Sequence, residues 1–455
     1  MATIVPIETP ALGDRSYLAH DGQVALVIDP QRDIDRVLTL AEQAGVRVTH
    51  VFETHIHNDY VTGDLALAKA TGAAYHVNAE DQVRFDRTPI RDGDVVDVSP
   101  TLRLRALATP GHTYTHLSYV LESDGEQVGV FTGGSLLFGS TGRPDLLGPE
   151  HTEQLVHHQY ASAHRLADEV ADQAQVLPTH GFGSFCSTDS GSGASASTVG
   201  QEKQANSALT QQEDRWVADV LSALDDYPAY YAHMGPLNGA GPQAPDLSQP
   251  EAVDKATLRQ RLENGEWVVD LRARTAFAAG HVVGTLNFGL DGQFSTYLGW
   301  LIPWGTPLTL LGESPEQVAE AQRELVRIGI DRLQGAATGA PQEWTDEPTG
   351  SFPRAGFADL AQVRHHRKVS ILDVRRSSEY DQGHLEGAVN IPLHDLPARV
   401  EQAPAGQVWV HCATGYRAAI AASLLAAHGM NVVLVDDSFE EHAAKTGLPV
   451  APAAS

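Results

Sequence analysis

The segment "ETHIHNDYVTG" (Glu53–Gly63) places two histidines and one aspartate within five positions, as His55-x-His57-x-Asp59. It follows "VRVTHVF", a run of β-branched and apolar residues that predicts a buried strand. Imidazole nitrogens and carboxylate oxygens are common metal ligands, and loops at strand ends commonly carry functional side chains. The segment therefore predicts a fold whose core strands deliver a metal site at their ends.

Two more histidines follow predicted strands in the same half of the chain. His112 comes after "LRLRALATPG", and His180 comes after "VLPT". A lone histidine is ordinarily a surface residue or a satisfied core residue, but histidines that each end a strand beside glycine or aspartate are harder to explain by packing. We therefore add both to the candidate ligands. Strands such as "VALVID" alternate here with helical segments such as "DIDRVLTLAEQAG", which predicts an α/β fold.

The composition of the 455-residue chain narrows the classes of partner. Acidic residues number 58 and basic residues 31, so the formal net charge is −27. This charge argues against nucleic acid and anionic membrane as partners. No apolar run approaches the ~20 residues that a membrane span requires, and the first residues lack a secretory signal pattern. With only Cys186 and Cys412, a disulfide framework is excluded and a cytoplasmic location is expected.

The second half of the chain contains a repeat. "VVDLRARTAFAAGHVVGTLNF" (268–288) parallels "ILDVRRSSEYDQGHLEGAVNI" (371–391), with matching Asp, Gly-His, Gly and Asn positions at a constant offset of 103 residues. Such self-similarity predicts two copies of one α/β module, separated by Pro- and Gly-rich linkers. The predicted domains are 1–234, a linker over 235–250, the first copy over 251–338, a linker over 339–356 and the second copy over 357–455.

A cysteine loop lies in the second copy. "VWVHCATGYRAAIAASLLAAHG" (408–429) predicts a buried strand, a tight loop and an alanine-rich helix. Cys412 therefore lies at a helix N-terminus, where backbone amides favour a thiolate, and Arg417 adds a positive charge. The spacing is Cys-x4-Arg, shorter than the Cys-x5-Arg loop of cysteine phosphatases, which favours a loop around a single sulfur atom. The loop residues are Ala413, Thr414, Gly415 and Tyr416.

The first copy lacks a nucleophile. Its equivalent strand leads into "PLTLLGES", where Gly312 or Glu313 falls at the position of Cys412. We expect this copy to contribute packing or surface shape, and no catalysis. We expect Asp373 and Arg375 of the second copy to brace the module through hydrogen bonds.

These motifs resemble known families. "DVRRSSEYDQGHLEGAVNIP" and "HCATGYR" resemble the signature and active loop of rhodanese sulfurtransferases, and the histidine loops resemble those of the metallo-β-lactamase fold. "THIHNDYVTG", "PGHT", "GRPDL" and "PTHGFGS" look most like the persulfide dioxygenases that are fused to rhodanese modules. This resemblance covers nearly the whole chain. It implies a metallo-β-lactamase αββα sandwich followed by two rhodanese-like α/β domains, of which the first is inactive.

The resemblance also implies one Fe(II) per chain, held by two histidines and one carboxylate. The two histidines carry over to His55 and His112. The carboxylate does not, because "FTGGSLLFGSTGRPD" has Gly134 where that family shows aspartate. A three-histidine site would suit Zn as well as Fe. The candidates for the remaining ligand are His57, Asp59 and His180.

The function that the resemblance implies is sulfane-sulfur metabolism. A low-molecular-weight thiol persulfide and O2 would give sulfite at the metal, and Cys412 would carry sulfur as a persulfide between sulfite and thiosulfate. Cys186 is a candidate sulfur relay. Two alternatives stay open: a Zn-dependent thioester hydrolase of glyoxalase II type, which Tyr60 disfavours because that family has a histidine there, and a sulfurtransferase or sulfur carrier with a degenerate metal site. We expect a homo-oligomer.

Overall fold

The computed structural model describes residues 2–188 and 194–452. The chain forms two compact units. The first reaches Asp246 and includes Val326–Gly329, and the second comprises Leu247–Leu325 and the chain from Ile330 onward. Among the described helices, none combines the length and the apolar composition that crossing a bilayer requires.

The first unit is built on two six-stranded sheets. Its strands are β1 (Thr3–Thr9), β2 (Asp14–His20), β3 (Val24–Ile28), β4 (Arg47–Phe52), β5 (Ala74–Asn78), β6 (Thr88–Ile90), β7 (Val95–Asp97), β8 (Leu102–Ala108), β9 (Leu117–Ser123), β10 (Glu126–Gly133), β11 (Gln175–Pro178) and β12 (Ser197–Thr198). The orders are β1-β2-β3-β4-β5-β6 and β12-β11-β10-β9-β8-β7.

Aromatic and aliphatic side chains from both sheets fill the space between them. Tyr17 packs on Phe131 and Phe52 packs on Tyr119, with ring centroids 5.4 and 5.2 Å apart. Burial of each such ring stabilises the fold by roughly 1.5–3 kcal/mol. Strands β3 and β4 are parallel, and β3 is buried on both faces, which explains why "VALVI" reads as a continuous apolar run.

Helices cover the outer face of each sheet. They are α1 (Asp35–Ala44), α2 (Asp64–Thr71), α3 (Pro149–Glu169), α4 (Val199–Ala205), α5 (Ser207–Thr210) and α6 (Glu213–Ala223), and a further helix, α7 (Tyr231–Ala240), follows them in the chain. Apolar residues of α1 and α2 pack on the first sheet, and those of α3 to α6 pack on the second. The layers run helix, sheet, sheet, helix, which confirms the predicted αββα sandwich.

Helix α7 corrects the linker predicted over 235–250. The Pro- and Gly-rich composition predicted no regular structure there, whereas α7 continues to Ala240 with a proline inside it. A tertiary contact explains the difference. The buried side-chain amide of Asn238 donates to the carbonyls of His57 (2.9 Å) and Tyr60 (2.8 Å). Its oxygen accepts from the backbone amide of Thr62 (2.9 Å), so α7 is fixed to the metal-site loop.

The second unit contains two parallel sheets and one antiparallel pair. Its strands are β13 (Trp267–Asp270), β14 (Leu286–Asn287), β15 (Leu308–Gly312), β16 (Leu333–Thr338), β17 (Arg354–Ala355), β18 (Ser370–Asp373), β19 (Gly383–Leu385), β20 (Val389–Asn390), β21 (Gln407–His411), β22 (Asn431–Val435) and β23 (Val450–Pro452). The orders are β14-β13-β15-β16, β17-β22-β21-β18-β20 and β19-β23.

Short helices connect these strands. They are α8 (Lys255–Glu263), α9 (Arg274–Ala279), α10 (Phe294–Leu301), α11 (Pro315–Arg327), α12 (Pro341–Trp344), α13 (Phe357–His366), α14 (Ser377–Asp381), α15 (Leu396–Arg399) and α16 (Tyr416–Ala427), with a π-helical turn at Phe439–Ala443 and 3-10 turns at Val400–Gln402 and Ala444–Thr446. The parallel strands are each reached by a crossover, as βαβ connections require.

Strand register aligns the two copies of the module. The last residue of β13 pairs with Leu311, and the last residue of β18 pairs with His411. The residue after Leu311 is Gly312, and the residue after His411 is Cys412. Gly312, and not Glu313, therefore stands at the position of the cysteine.

Candidate functional site

The five candidate metal ligands lie together at the ends of β4, β8 and β11. They are His55, His57, Asp59, His112 and His180, all of them buried. Each of two groups has ligand atoms within 4.8 Å of one another. The first trio is His55, His112 and His180, and the second trio is His57, Asp59 and His180.

Hydrogen bonds fix the tautomer of His55. The Thr54 hydroxyl donates to Asp29 Oδ2 at 2.7 Å, so its oxygen must accept from His55 Nδ1 at 2.9 Å. A hydroxyl has only one proton to give. His55 Nδ1 therefore carries a proton, and its Nε2 keeps a lone pair that can bind a metal.

His112 and His180 are oriented in the same way. His112 Nδ1 donates to the carbonyl of Arg143 at 2.8 Å, and its buried Nε2 has no hydrogen-bond partner among the described residues. His180 Nδ1 lies 3.0 Å from Asp14 Oδ1 and 3.1 Å from Asp59 Oδ2. In both rings Nδ1 is engaged by an oxygen, and Nε2 is the nitrogen left for a ligand.

The first trio fits a metal ion. Metal-binding histidines ordinarily donate their second ring N–H to a carboxylate, a carbonyl or a similar acceptor, and all three rings of the trio have such a partner. The Nε2 atoms of His55 and His180 are 3.4 Å apart, which is the separation of two nitrogens bound at about 2.1 Å to one ion. The orphaned Nε2 of His112 is costly to bury unless something binds it.

The electrostatics of the trio favour a cation. Burial lowers the pKa of His112 to about 3, with the charge of His180 adding to the shift, so that this imidazole stays neutral and able to ligate. Burial also lowers the pKa of His55. Burial opposes a charge on His180 as well, but Asp59 and Asp14 outweigh it and raise its pKa to about 10. Positive charge at this position is thus stabilised by two buried carboxylates.

The second trio shares His180 with the first. His57 Nε2 lies 3.3 Å from Asp29 Oδ1 and 2.9 Å from the Tyr60 hydroxyl. Its Nδ1 and both carboxylate oxygens of Asp59 are buried without a hydrogen bond among the described residues. Tyr60 therefore fills the place beside His57 with a hydrogen-bonding phenol.

Gly134 leaves room for a ligand ring. A Cβ atom at this position would lie 2.4 Å from His112 Cδ2, so the ring of His112 occupies the space that any larger side chain would need. The structure therefore accommodates no aspartate at Gly134 with His112 in its present place. The trio around His55 and His112 is completed by His180.

Two supporting residues had no role in the sequence analysis. Asn238 holds the metal-site loop from α7. Arg143, in the "GRPD" motif, orients His112 through its carbonyl, pairs with Asp145 through its guanidinium (2.7 Å) and donates its amide to the Cys186 carbonyl (2.8 Å). Arg143 lies in the "GRPDL" segment that carried the family resemblance, whereas no local pattern pointed to Asn238.

Cys186 lies close to the second trio and is fully buried. Burial raises the pKa of its thiol, and the charges of Asp59 and Asp14 raise it further, whereas a hydrogen bond with Tyr231 opposes the shift. These surroundings favour the protonated thiol. The relay role of Cys186 stays a prediction.

Cys412 follows β21 directly and is 1% exposed. The backbone amide of Gly415 donates to its sulfur at 3.2 Å, and Gly415 adopts a left-handed conformation (φ 98°) before α16 begins at Tyr416. The loop therefore directs an amide and a helix N-terminus at the sulfur, an arrangement that stabilises a thiolate.

Arg417 forms an ion pair with Glu379, a residue that the sequence analysis did not single out. Its guanidinium binds both carboxylate oxygens of Glu379, at 2.6 and 2.7 Å. Glu379 lies on α14, in the segment between the aspartate brace and the Gly-His pair. The bidentate bridge fixes Arg417 beside the loop and partly neutralises the positive charge that the sequence predicted there.

Comparisons with known proteins agree with this architecture. Residues 12–180 match the metallo-beta-lactamase superfamily and residues 357–445 match the rhodanese-like domain. A crystal structure of a metallo-beta-lactamase from Staphylococcus aureus is similar over 74% of this chain and 99% of that chain, with 27% identity and a TM-score of 0.66. A crystal structure of ETHE1 from Myxococcus xanthus covers 52% of this chain and 98% of that chain, with 27% identity and a TM-score of 0.45.

Among curated proteins, the hydroxyacylglutathione hydrolase of Polaromonas sp. is 34% identical over 161 residues, which is 35% of this chain and 57% of that protein. The chain spans about half the length of the curated relatives it matches, with 47% for the hydroxyacylglutathione hydrolase of Methylobacillus flagellatus. The first unit has a metallo-β-lactamase fold with a histidine and aspartate cluster that indicates a metal, and the second copy is a rhodanese-like domain. These features indicate an enzyme of sulfur or hydrolytic chemistry.

Proposed function

We propose that the chain is a persulfide dioxygenase joined to a sulfurtransferase. The single observation that supports the metal half best is the first trio, in which each Nδ1 is held by an oxygen and each Nε2 is left for a ligand. The overall reaction converts a low-molecular-weight thiol persulfide, O2 and water into the thiol, sulfite and protons. The outer sulfur is oxidised and O2 is reduced.

The residues of this chain would hold Fe(II) through the Nε2 atoms of His55, His112 and His180. A bound Fe(II) supplies the one-electron chemistry that O2 requires. Asp14 and Asp59 keep positive charge favourable at His180, and Thr54 and the Arg143 carbonyl hold the other two rings. The buried surroundings exclude bulk water from the reacting sulfur.

Sulfur transfer would take place at Cys412. Its thiolate attacks the outer sulfur of a persulfide, a new S–S bond forms to Cys412, and the low-molecular-weight thiol that carried the sulfur leaves as a thiolate. Sulfite then attacks that outer sulfur, the S–S bond to Cys412 breaks, and thiosulfate leaves as the thiolate returns. The Gly415 amide stabilises the negative sulfur in both steps.

The direct test of the metal half is oxygen uptake with glutathione persulfide by protein loaded with Fe(II). The variant His112→Ala removes the orphaned nitrogen, and we expect metal affinity to fall by at least about 10–100-fold with loss of oxygen uptake. His157→Ala is the matched control, because His157 is an exposed histidine on α3. Oxygen uptake by His112→Ala at the wild-type rate would contradict the proposal.

A second candidate is a Zn-dependent thioester hydrolase. It is favoured by the second trio, which adds His57 and Asp59 next to the first metal position, and by the similarity to hydroxyacylglutathione hydrolases. Two adjacent metal ions would suit hydrolysis. Hydrolysis of an S-hydroxyacylglutathione by the Zn-loaded protein, with no oxygen uptake by the Fe-loaded protein, would replace the dioxygenase proposal.

A further inference from the structure

The first copy, which has no cysteine, packs against the cysteine loop of the second copy. The hydroxyl of Tyr416, the loop residue that begins α16, donates to the carbonyl of Gly289 at 2.8 Å. A Cβ atom at Gly292 would come within 2.4 Å of the Tyr416 ring, so the first copy presents bare backbone to that ring. The backbone amide of Asn287 donates to Ser423 on α16 at 2.9 Å.

Arg274 of the first copy also contacts the second copy, at Asp436, a residue that adjoins the cysteine loop. Its Nε lies 2.7 Å from Asp436 Oδ1, and its Nη1 lies 2.6 Å from Asp291 Oδ2. Asp436 in turn borders Gly415 so closely that a Cβ there would lie 2.3 Å from Asp436 Oδ1. Because the Gly415 amide donates to Cys412, the contacts form one chain from Arg274 to the sulfur.

Tyr297, on α10 of the first copy, is a second neighbour of the loop. Its ring centroid lies 6.0 Å from that of Tyr416. Burial raises the pKa of its phenol, which favours the neutral form. A neutral aromatic ring of the first copy therefore packs beside the loop residue Tyr416.

The residues that make these contacts differ between the two copies of the repeat. At the offset of 103 residues, Arg274 corresponds to Ser377, and Ala276 corresponds to Glu379. Helix α14 of the second copy thus supplies the partner of Arg417 within its own copy. Helix α9 of the first copy instead supplies a cation to the other copy.

We propose that the first copy is a working part of the sulfur-transfer site, in which Arg274 positions the Cys412 loop through Asp436. This inference rests on the proposed sulfurtransferase role of Cys412. It assigns a function to the copy for which the sequence predicted packing or surface shape only.

The test measures sulfur transfer from thiosulfate to cyanide, and alkylation of Cys412 by iodoacetamide at one pH, in full-length variants. We expect Arg274→Gln to lower kcat and the alkylation rate by about tenfold or more, since it removes a charge-assisted contact. Arg274→Lys, which keeps the charge, should recover most of the alkylation rate.

A matched control distinguishes the role of Arg274 from a general loss of stability. Arg354→Gln also removes an arginine partner of Asp436, at 3.4 Å, but from β17, in the sheet of the second copy. If Arg274→Gln stays within about twofold of the wild type, or if Arg354→Gln loses as much, the inference is wrong.

The same experiment separates the inference from the proposed function. If the wild type transfers no sulfur and reacts no faster than Cys412→Ser, the sulfurtransferase role itself fails. If the wild type transfers sulfur and Cys412→Ser does not, while Arg274→Gln and Arg274→Lys match the wild type, only the role of the first copy fails.

Discussion

The two copies of the repeated module share a frame and differ in one loop. In the first copy Arg272 binds Asp270 and the Gly280 carbonyl, and in the second copy Arg375 binds Asp373 and the equivalent glycine carbonyl, each with a shortest side-chain contact of 2.6 Å. The predicted bracing role of Asp373 and Arg375 is confirmed. The frame therefore forms without a cysteine, and the module's fold does not depend on its chemistry.

The loops that follow the equivalent strands differ in where their amides go. In the first copy, the amide of Glu313 donates to the side chain of Gln317 at 2.7 Å. In the second copy, the amide of Gly415 donates to the sulfur of Cys412 at 3.2 Å. The comparison teaches that a cysteine alone does not make a nucleophile. The loop around it must also have a backbone amide that can donate to the sulfur.

The largest effect should come from moving the cysteine between the copies. Cys412→Ser should abolish sulfur transfer, and adding Gly312→Cys to that variant should not restore it, because the neighbouring amide is already bound by Gln317. The measurement is thiosulfate:cyanide sulfur transfer at equal protein concentration. Recovery of transfer in the double variant would show that the two loops are equivalent after all.

The next effect concerns the shared frame. Asp270→Ala and Asp373→Ala each leave a buried arginine without its partner, and each should lower the free energy of unfolding by about 3–5 kcal/mol. Asp97→Ala, which removes an exposed partner of Arg103, should change it far less, because solvent screens exposed ion pairs. Guanidinium unfolding monitored by circular dichroism measures all three. If Asp270→Ala left the free energy of unfolding unchanged while Asp373→Ala lowered it, the frames of the two copies would not be equivalent.

A third effect separates backbone strain from crowding in the cysteine loop. Gly415 (φ 98°) and Gly429 (φ 76°) are both left-handed, but only a Cβ at Gly415 would meet Asp436. Gly429→Ala should cost about 1 kcal/mol, whereas Gly415→Ala should cost more, about 1–3 kcal/mol, and should also slow sulfur transfer. Equal unfolding midpoints and unchanged transfer in the two variants would contradict the crowding that we describe.

The smallest effect is a pH dependence that only the second copy should show. Burial raises the pKa of Glu379, but Arg417 outweighs it and lowers the pKa from 4.5 to about 2. The ion pair therefore stabilises the fold above pH 4.5, and its contribution disappears as the pH falls towards 2.

Replacing Glu379 with glutamine tests this dependence. The stability difference between the wild type and Glu379→Gln should be largest near neutral pH and shrink below pH 4.5. Glu401→Gln, at an exposed glutamate of the same copy, should show no such trend. A difference that stayed constant from neutral to acid pH would mean that the bridge does not form in solution.

The sequence by itself determined the architecture and the candidate functional residues. The alternation of strands and helices predicted the αββα sandwich, and the fixed offset predicted the repeated module. These signals are local: a strand ends where apolar alternation ends, and a helix N-terminus follows a tight loop within a few residues. His55, His57 and Cys412 could be proposed because their chemistry and their neighbours lie in one short stretch.

Only the tertiary structure decided how those residues are used. His180 completes the first trio because Asp14, far away in sequence, turns its ring, and Asn238 made a helix of a segment whose composition indicated a linker. Arg274 gained a role through a carboxylate that lies 162 residues further along the chain. These roles depend on contacts between polar atoms of segments that are far apart in sequence. No local pattern of residue types predicts such contacts.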